Sequence, residues 1–326
     1  MLKRILHLPA KNLALAIPAV LAAGFTVGYL FDTTFLKDYI LFATFLMIYP
    51  TMIGFKVKEA FDLSHFKVVI TAMLLNFAVI PALAYSLGWV MLAKEPQMFA
   101  GLALASLLPT SGMTISWTII HKGNAPAAIK MTAVGLIAGS VLAPWYLLLM
   151  VGKMVPVNVA QIFTTIAVVV FLPLLLGNIS YRLLMRKFTI KEFQEKIKPV
   201  LPSASIWSML FVIFSSISMK ARMIMSAPEV IVQGLAVLLI FYLLNFVLST
   251  VVGRAFFTKP DGIALVYGTV MRNLSIALGV AVTTFGPKAG LIVTLAFIIQ
   301  VQAAAWYGKV SEKFAFFKNE PVLKNQ

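Results

Sequence analysis

Thr269, Arg272, Asn273 and Ser275 are the polar residues of one stretch, Tyr267-Gly-Thr-Val-Met-Arg-Asn-Leu-Ser275, set in otherwise apolar chain from Gly262 to Phe285. A run of that length is about the ~20 residues a helix needs to cross a bilayer. A charge at its middle costs ~2.5–3.5 kcal/mol on insertion scales, so Arg272 must face protein or water rather than lipid. All eleven carboxylates fall in loops or at span ends, so no acidic partner is expected for it. The chemistry this offers is binding: an unpaired guanidinium draws an anion, or supplies the charge that a bound cation would otherwise supply. A second set lies in Leu108-Pro-Thr-Ser-Gly-Met-Thr-Ile-Ser116, where Thr110, Ser111, Thr114 and Ser116 offer hydroxyls beside Pro109 and Gly112. Singly, such hydroxyls bond back to their own helix; as a group they can hold a polar ligand. Asn76, near Pro81, is a third candidate, for substrate contact or for a bond between helices. There is no His/Asp/Glu cluster, no Ser-His-Asp set and no phosphate loop, so an enzyme is not expected.

The elements that must position these groups are membrane helices. The chain is 61% hydrophobic and 12% charged, against about 25% charged in soluble domains, and its mean hydropathy is +0.95. Apolar runs punctuated by Gly, Pro and charge predict ten spans, at 12–31, 38–55, 68–92, 97–120, 126–151, 157–181, 203–219, 229–253, 262–286 and 288–308. The short basic segment Met1–Asn12 reads as the lead into a retained first helix rather than a signal peptide. There is no cysteine, which excludes disulfides and thiolate metal sites.

The net charge of +16 invites a nucleic-acid reading, but the basic residues are sorted by side. With the N-terminus inside, twenty Lys and Arg fall in or beside inside segments and six in or beside outside segments, and Arg272, near mid-span, makes the twenty-seventh. That bias predicts a multi-pass protein of the cell (inner) membrane with both termini cytoplasmic, and no nucleic acid. The longest loop, 182–202, is basic and carries an amphipathic stretch, 188–198, suited to anionic headgroups or to docking of a partner. It separates 1–181 from 203–326, with the sixth span, 157–181, belonging by topology to the second half. Five spans per half is an odd number, so the halves insert with opposite orientation, as inverted repeats do. The fourth and ninth spans both read as interrupted: Pro109 removes a donor mid-span and Gly112 permits unwinding. Broken backbone at membrane depth belongs inside protein or beside water, and paired interruptions point to a midplane site.

Three motifs carry a resemblance: Asn76-Phe-Ala-Val-Ile-Pro-Ala82, Pro109 through Asn124 with its Lys-Gly-Asn turn, and Met271-Arg-Asn-Leu-Ser275 running on to Phe285-Gly286. On these the chain resembles the bile acid:sodium symporter superfamily, which includes organic-anion symporters and arsenite-efflux permeases. The resemblance implies an all-α membrane fold of ten helices in two inverted five-helix repeats. Helices 4 and 9 are then broken and crossing, and spans 1, 2, 6 and 7 form a panel against a core of the other six. It implies secondary-active transport of a small organic anion by alternating access, with Arg272, Asn273, Ser275, Thr110, Ser111, Thr114 and Asn76 at the substrate.

The departures are as informative. Where sodium-coupled relatives carry a Glu, a following Gln and a span-four Asn, this chain has Gly268, Arg272 and Ile115; the span-three Gln is Asn76. Na+ prefers oxygen ligands and some negative field, so the sodium sites implied by the resemblance are degenerate here, with Thr114 and Thr269 the remaining weak candidates and no other cofactor expected. Where the arsenite branch carries a Cys and a Glu, this chain has Thr110 and Ser275, although Met47-Ile-Tyr-Pro50 and Trp117 are similar to that branch. The alternatives are a metalloid-efflux relative, an anion channel, and a non-transporting membrane sensor or scaffold that uses the 182–202 loop. The substrate, the direction of transport and the oligomeric state are not legible in the sequence.

Overall fold

The computed structural model describes residues 13–55, 64–219, 221–226, 228–314 and 316–317. The basic segment Met1–Asn12, the loop lysines Lys56 and Lys58, and Lys318 and Lys324 lie outside the described residues, as do Glu59, Asp62 and Glu320.

The described chain is helical. In order, α1 is Leu13–Leu30, α2 Lys37–Met52 and α3 Phe66–Met91; α4 is Pro96–Leu107, α5 Gly112–Ile120 and α6 Ala125–Val151. Then come α7 (Val159–Leu184), a short α8 (Ile190–Glu192) prolonged by a π turn over Phe193–Ile197, α9 (Leu201–Ser218) and α10 (Ala221–Ser226). The last elements are α11 (Glu229–Phe256), α12 (Lys259–Val270), α13 (Leu274–Val280, prolonged by a π turn over Ala281–Phe285) and α14 (Pro287–Lys313). Five of these, α3, α6, α7, α11 and α14, are long and apolar enough to cross a membrane. The fourth and ninth apolar runs are each broken in two, into α4/α5 and α12/α13. Prolines open α4, α6, α12 and α14 in the first turn, where a missing N–H costs nothing.

Two bodies are visible. In one, α9 packs on α1 and α2, and α7 packs on α2. The helices meet at glycines: an added Cβ on Gly28 would overlap the backbone of Ser218, and one on Gly177 would lie 2.7 Å from the Met52 backbone. Gly28→Ala is therefore expected to push α1 off α9, costing ~1–3 kcal/mol and lowering the melting temperature of the purified protein. An unchanged melting curve would remove this account of the contact.

The other body holds α3, α4, α5, α6, α11, α12, α13 and α14. From Met98 to Leu107 every residue of α4 is buried, and so is every residue of α12 from Gly262 to Val270. A helix that is apolar all round must be enclosed by others, and these two half-helices form the centre. The bodies touch where Thr44 of α2 presses on Gly279 of α13 and where Ser216 of α9 sits 2.5 Å from a Cβ placed on Gly290 of α14. Both hydroxyls are buried without a hydrogen-bond partner among the described residues.

Two polar ties join helix starts inside the second body. Asn124 at the head of α6 donates through Nδ2 to Asp261 Oδ1 (2.6 Å) and through its backbone N–H to the Pro260 carbonyl (2.9 Å), both at the head of α12. Lys288 at the head of α14 pairs with Glu95 (2.8 Å), immediately before α4.

Candidate functional site

The two breaks meet. Leu108 precedes a proline, which disfavours the α region, and it sits at φ −105°, ψ 82°. Thr110 then adopts φ +59°, an uncommon left-handed conformation for a β-branched residue, and Ser111 is extended. Space for this turn comes from α6, where a Cβ on Gly135 would lie 2.7 Å from Thr110 Oγ1 and one on Gly139 would lie 3.0 Å from Pro109 Cδ. The second break has no proline or glycine. It runs through Met271 and Arg272 to Asn273, and is held by tertiary bonds. Pro109 and Arg272 form an isolated antiparallel bridge, and the Asn273 N–H donates to the Leu108 carbonyl (2.8 Å). Thr114 adds a cross-tie: its Oγ1 accepts from the Ser111 N–H (3.2 Å) and reaches the Met271 carbonyl (3.4 Å).

Arg272 is at the centre, only 1% exposed. The expectation of an unpaired guanidinium in a cavity is corrected here. Nε donates to the Ala105 carbonyl (3.1 Å), Nη1 to the Thr269 carbonyl (2.8 Å) and to Asn76 Oδ1, and Nη2 to the Ser106 carbonyl. No carboxylate among the described residues reaches it; its partners are neutral oxygens. The last four carbonyls of a helix have no partner within it, and they form the negative pole of its dipole. One fixed charge thus satisfies carbonyls at the ends of both α4 and α12. Its planar fork suits several acceptors at once.

Asn76 orients the fork. It lies in a π turn, Leu75–Val79, that interrupts α3 just before Pro81, a device common at functional positions. Its Oδ1 accepts from Arg272 while its Nδ2 donates to the Gly268 carbonyl (2.9 Å). Sequence reasoning missed Gln300 of α14. Its Oε1 accepts from the Arg272 backbone N–H (2.8 Å) and from the Tyr242 hydroxyl (3.0 Å), and its Nε2 donates to the Arg272 carbonyl (3.2 Å). The signal was available: the amides Gln300 and Gln302, following Phe297-Ile-Ile299, are as anomalous there as Asn76 is in its own helix.

The candidate residues thus divide. Arg272, Asn76, Thr110, Thr114 and Thr269 are fully buried. The Thr269 hydroxyl is turned away, within bonding distance of Ser249 Oγ (2.7 Å) and the Leu265 carbonyl (2.8 Å). Ser111, Asn273 and Ser275 are partly exposed, and Gly112 is open. Ser116 is exposed and bonds back to the Gly112 carbonyl (3.3 Å). The partly exposed residues mark two helix starts. Ser111 caps α5, accepting from the Met113 N–H (3.2 Å), and Asn273 caps α13, accepting from the Ile276 N–H (3.3 Å). Helix N-termini carry partial positive charge and free N–H groups. The Arg272 guanidinium and the two helix starts together place positive charge at the breaks.

Half-helices that meet at their breaks inside a body of apolar helices define a multi-pass membrane protein with a buried polar network at those breaks. The chain belongs to the Sodium Bile acid symporter family, whose model matches residues 41–227, and is thus a membrane transporter of the bile acid symporter and arsenite permease kind. It is similar to the arsenical-resistance protein Acr3 of Corynebacterium glutamicum, at 22% identity over 85% of this chain and 80% of that protein. It is also similar to the uncharacterized protein YbaS of Bacillus subtilis, at 24% over 80% of this chain and 83% of that one. To the sodium/bile acid cotransporter 7 of Rattus norvegicus it is 27% identical over 58% of this chain and 55% of that protein.

Proposed function

We propose that this chain is a secondary-active transporter of a small organic anion, working by alternating access without sodium coupling. The observation that carries this reading is the place of Arg272. Its guanidinium lies among carbonyl and amide oxygens, where a bound cation would otherwise supply the charge. A cation built into the chain neither needs loading from solution nor dissipates a gradient. The anion, in this reading, is held on the reachable side by Ser111, Asn273, Ser275 and the starts of α5 and α13. Thr110, Thr114 and Asn76 shape that side from behind.

The proposed architecture is ten spans in two inverted five-helix repeats, split after α6, with 182–202 a basic cytoplasmic linker within the second repeat and both termini cytoplasmic. The two polar ties support it. One joins the start of the fifth span to the start of the ninth, and the other joins the start of the tenth to the start of the fourth. Exchanging the halves turns one tie into the other. The body of α1, α2, α7 and α9 is then the panel against which the core moves.

The test is uptake of labelled organic anions, bile salts and oxyanions into proteoliposomes. Replacing Na+ by choline is expected to leave the flux unchanged, and saturation is expected with rising substrate. Strict dependence on Na+ would reject the role given to Arg272, and flux that never saturates would favour a channel. A metalloid oxyanion is the second reading, favoured by the similarity to an arsenical-resistance protein over 85% of the chain. With no cysteine in the chain, it would rely on hydroxyl and amide ligands, and arsenite belongs in the same screen.

A further inference from the structure

The segment between α7 and α9 plays no part in the site. Arg182 in the last turn of α7, and Arg186, Lys187, Lys191, Lys196 and Lys198 after it, are all exposed, against two acidic residues, Glu192 and Glu195. α8 lies within it and is well built for so short an element. Thr189 and Glu192 form a reciprocal capping box: Thr189 Oγ1 accepts from the Glu192 N–H (3.2 Å), and the Glu192 carboxylate accepts from the Thr189 N–H (3.1 Å). The Glu192 carboxyl is held below its ordinary range, first by that backbone bond and then by the Lys196 ammonium, so the cap is intact at neutral pH. An exposed pair of this kind adds little to stability; it fixes the shape.

Ile190, Phe193 and Ile197 recur at the three- and four-residue spacing of one helix face. Phe193 is only 4% exposed. Its ring meets Tyr181 edge-on (centroids 5.0 Å apart) and sits 3.2 Å from a Cβ placed on Gly54, whose φ of +78° turns the chain after α2. Ile190 of this face is 63% exposed, and Leu183, in the last turn of α7, is 52% exposed. Since α7 is long enough to span a membrane and α9 begins directly after, this segment lies at a membrane surface. Exposed apolar residues flanked by exposed lysines, at that depth, are the pattern of a helix in the headgroup layer.

We propose that α8 and its flanking basic residues form a docking strap for anionic phospholipid headgroups, anchoring the α1–α2–α7–α9 body to the charged leaflet. Ile190 enters the hydrocarbon boundary, Phe193 fastens the strap to the protein, and Lys187, Lys191 and Lys198 take the phosphates, each contributing several-fold to affinity. Binding at this surface does not depend on what the crossover carries.

The absence of cysteine allows a clean test in the full chain. Gln194, exposed on the strap, is replaced by Cys and labelled with an environment-sensitive fluorophore. The protein is placed in nanodiscs of phosphatidylcholine with or without phosphatidylglycerol. Phosphatidylglycerol is expected to shift the label's emission to the blue and to bring it within reach of headgroup quenchers. Phosphatidylglycerol titrated into detergent-purified protein is expected to raise its melting temperature. K187Q/K191Q/K198Q is expected to need about tenfold or more phosphatidylglycerol for the same effects. Added salt should act in the same direction on the unmodified strap, with no variant required. Emission that ignores phosphatidylglycerol, or a triple variant that titrates like the parent, overturns the proposal. In that case the basic face is solvated or awaits a soluble partner.

Discussion

Arg272→Gln is expected to lower the melting temperature sharply and to abolish transport. Four buried oxygens, on Ala105, Ser106, Thr269 and Asn76, accept from this guanidinium. Removing one side of a buried, charged hydrogen-bond set costs ~3–5 kcal/mol, because the partners are left without donors. Arg272→Lys keeps the charge but brings three N–H groups to four acceptors, and should fall between the two. A further outcome separates a cation substitute from a mere structural arginine. Na+ or Li+ should raise the melting temperature of Arg272→Gln while leaving the parent unmoved, since only the variant has a vacated pocket of oxygens. A variant with parental stability and flux would end the proposal for this residue. One that is unstable but indifferent to every cation would leave Arg272 as a strut alone.

The second large effect is expected from Asn76→Asp. The new carboxylate still accepts from the Arg272 fork, so folding should survive, with the loss of one bond to the Gly268 carbonyl. What changes is charge. The fixed cation is cancelled, and an anion at the α5 and α13 starts loses its attraction. At an effective dielectric near 20, a unit charge within a nanometre contributes ~2 kcal/mol, so anion affinity should fall about thirtyfold. Calorimetry or competition flux would measure it, with a melting curve as the control. Anion binding retained in a folded Asn76→Asp protein would show that the crossover does not act through its field.

Much of this was legible from residue types. The apolar runs predicted at 97–120 and 262–286 are the two that break, and the first break falls at Pro109, as the loss of its N–H requires. The second is less obvious, because nothing in Thr269-Val-Met-Arg-Asn273 forbids a helix. It opens because the pairing of Asn273 with Leu108 and of Gln300 with both polar groups of the Arg272 backbone outweighs local propensity. Such pairing is set by distant chain and has no local signature. For the same reason the guanidinium looked unpaired: a search for carboxylates overlooks backbone carbonyls, which every residue owns and only a broken helix leaves free. Gly135 and Gly139 went unremarked because small residues are common in membrane helices, and only the geometry shows which of them yields room to a turn.

The hydroxyls of Thr44 and Ser216, pressed against glycine backbone between the two bodies, have no hydrogen-bond partner among the described residues. Each such group forfeits ~1–3 kcal/mol that water would return. Parting the bodies there would wet those two oxygens and so offset part of the apolar packing lost. If the two bodies do part during the proposed transport cycle, that offset lowers the differential affinity a ligand needs to tip the joint.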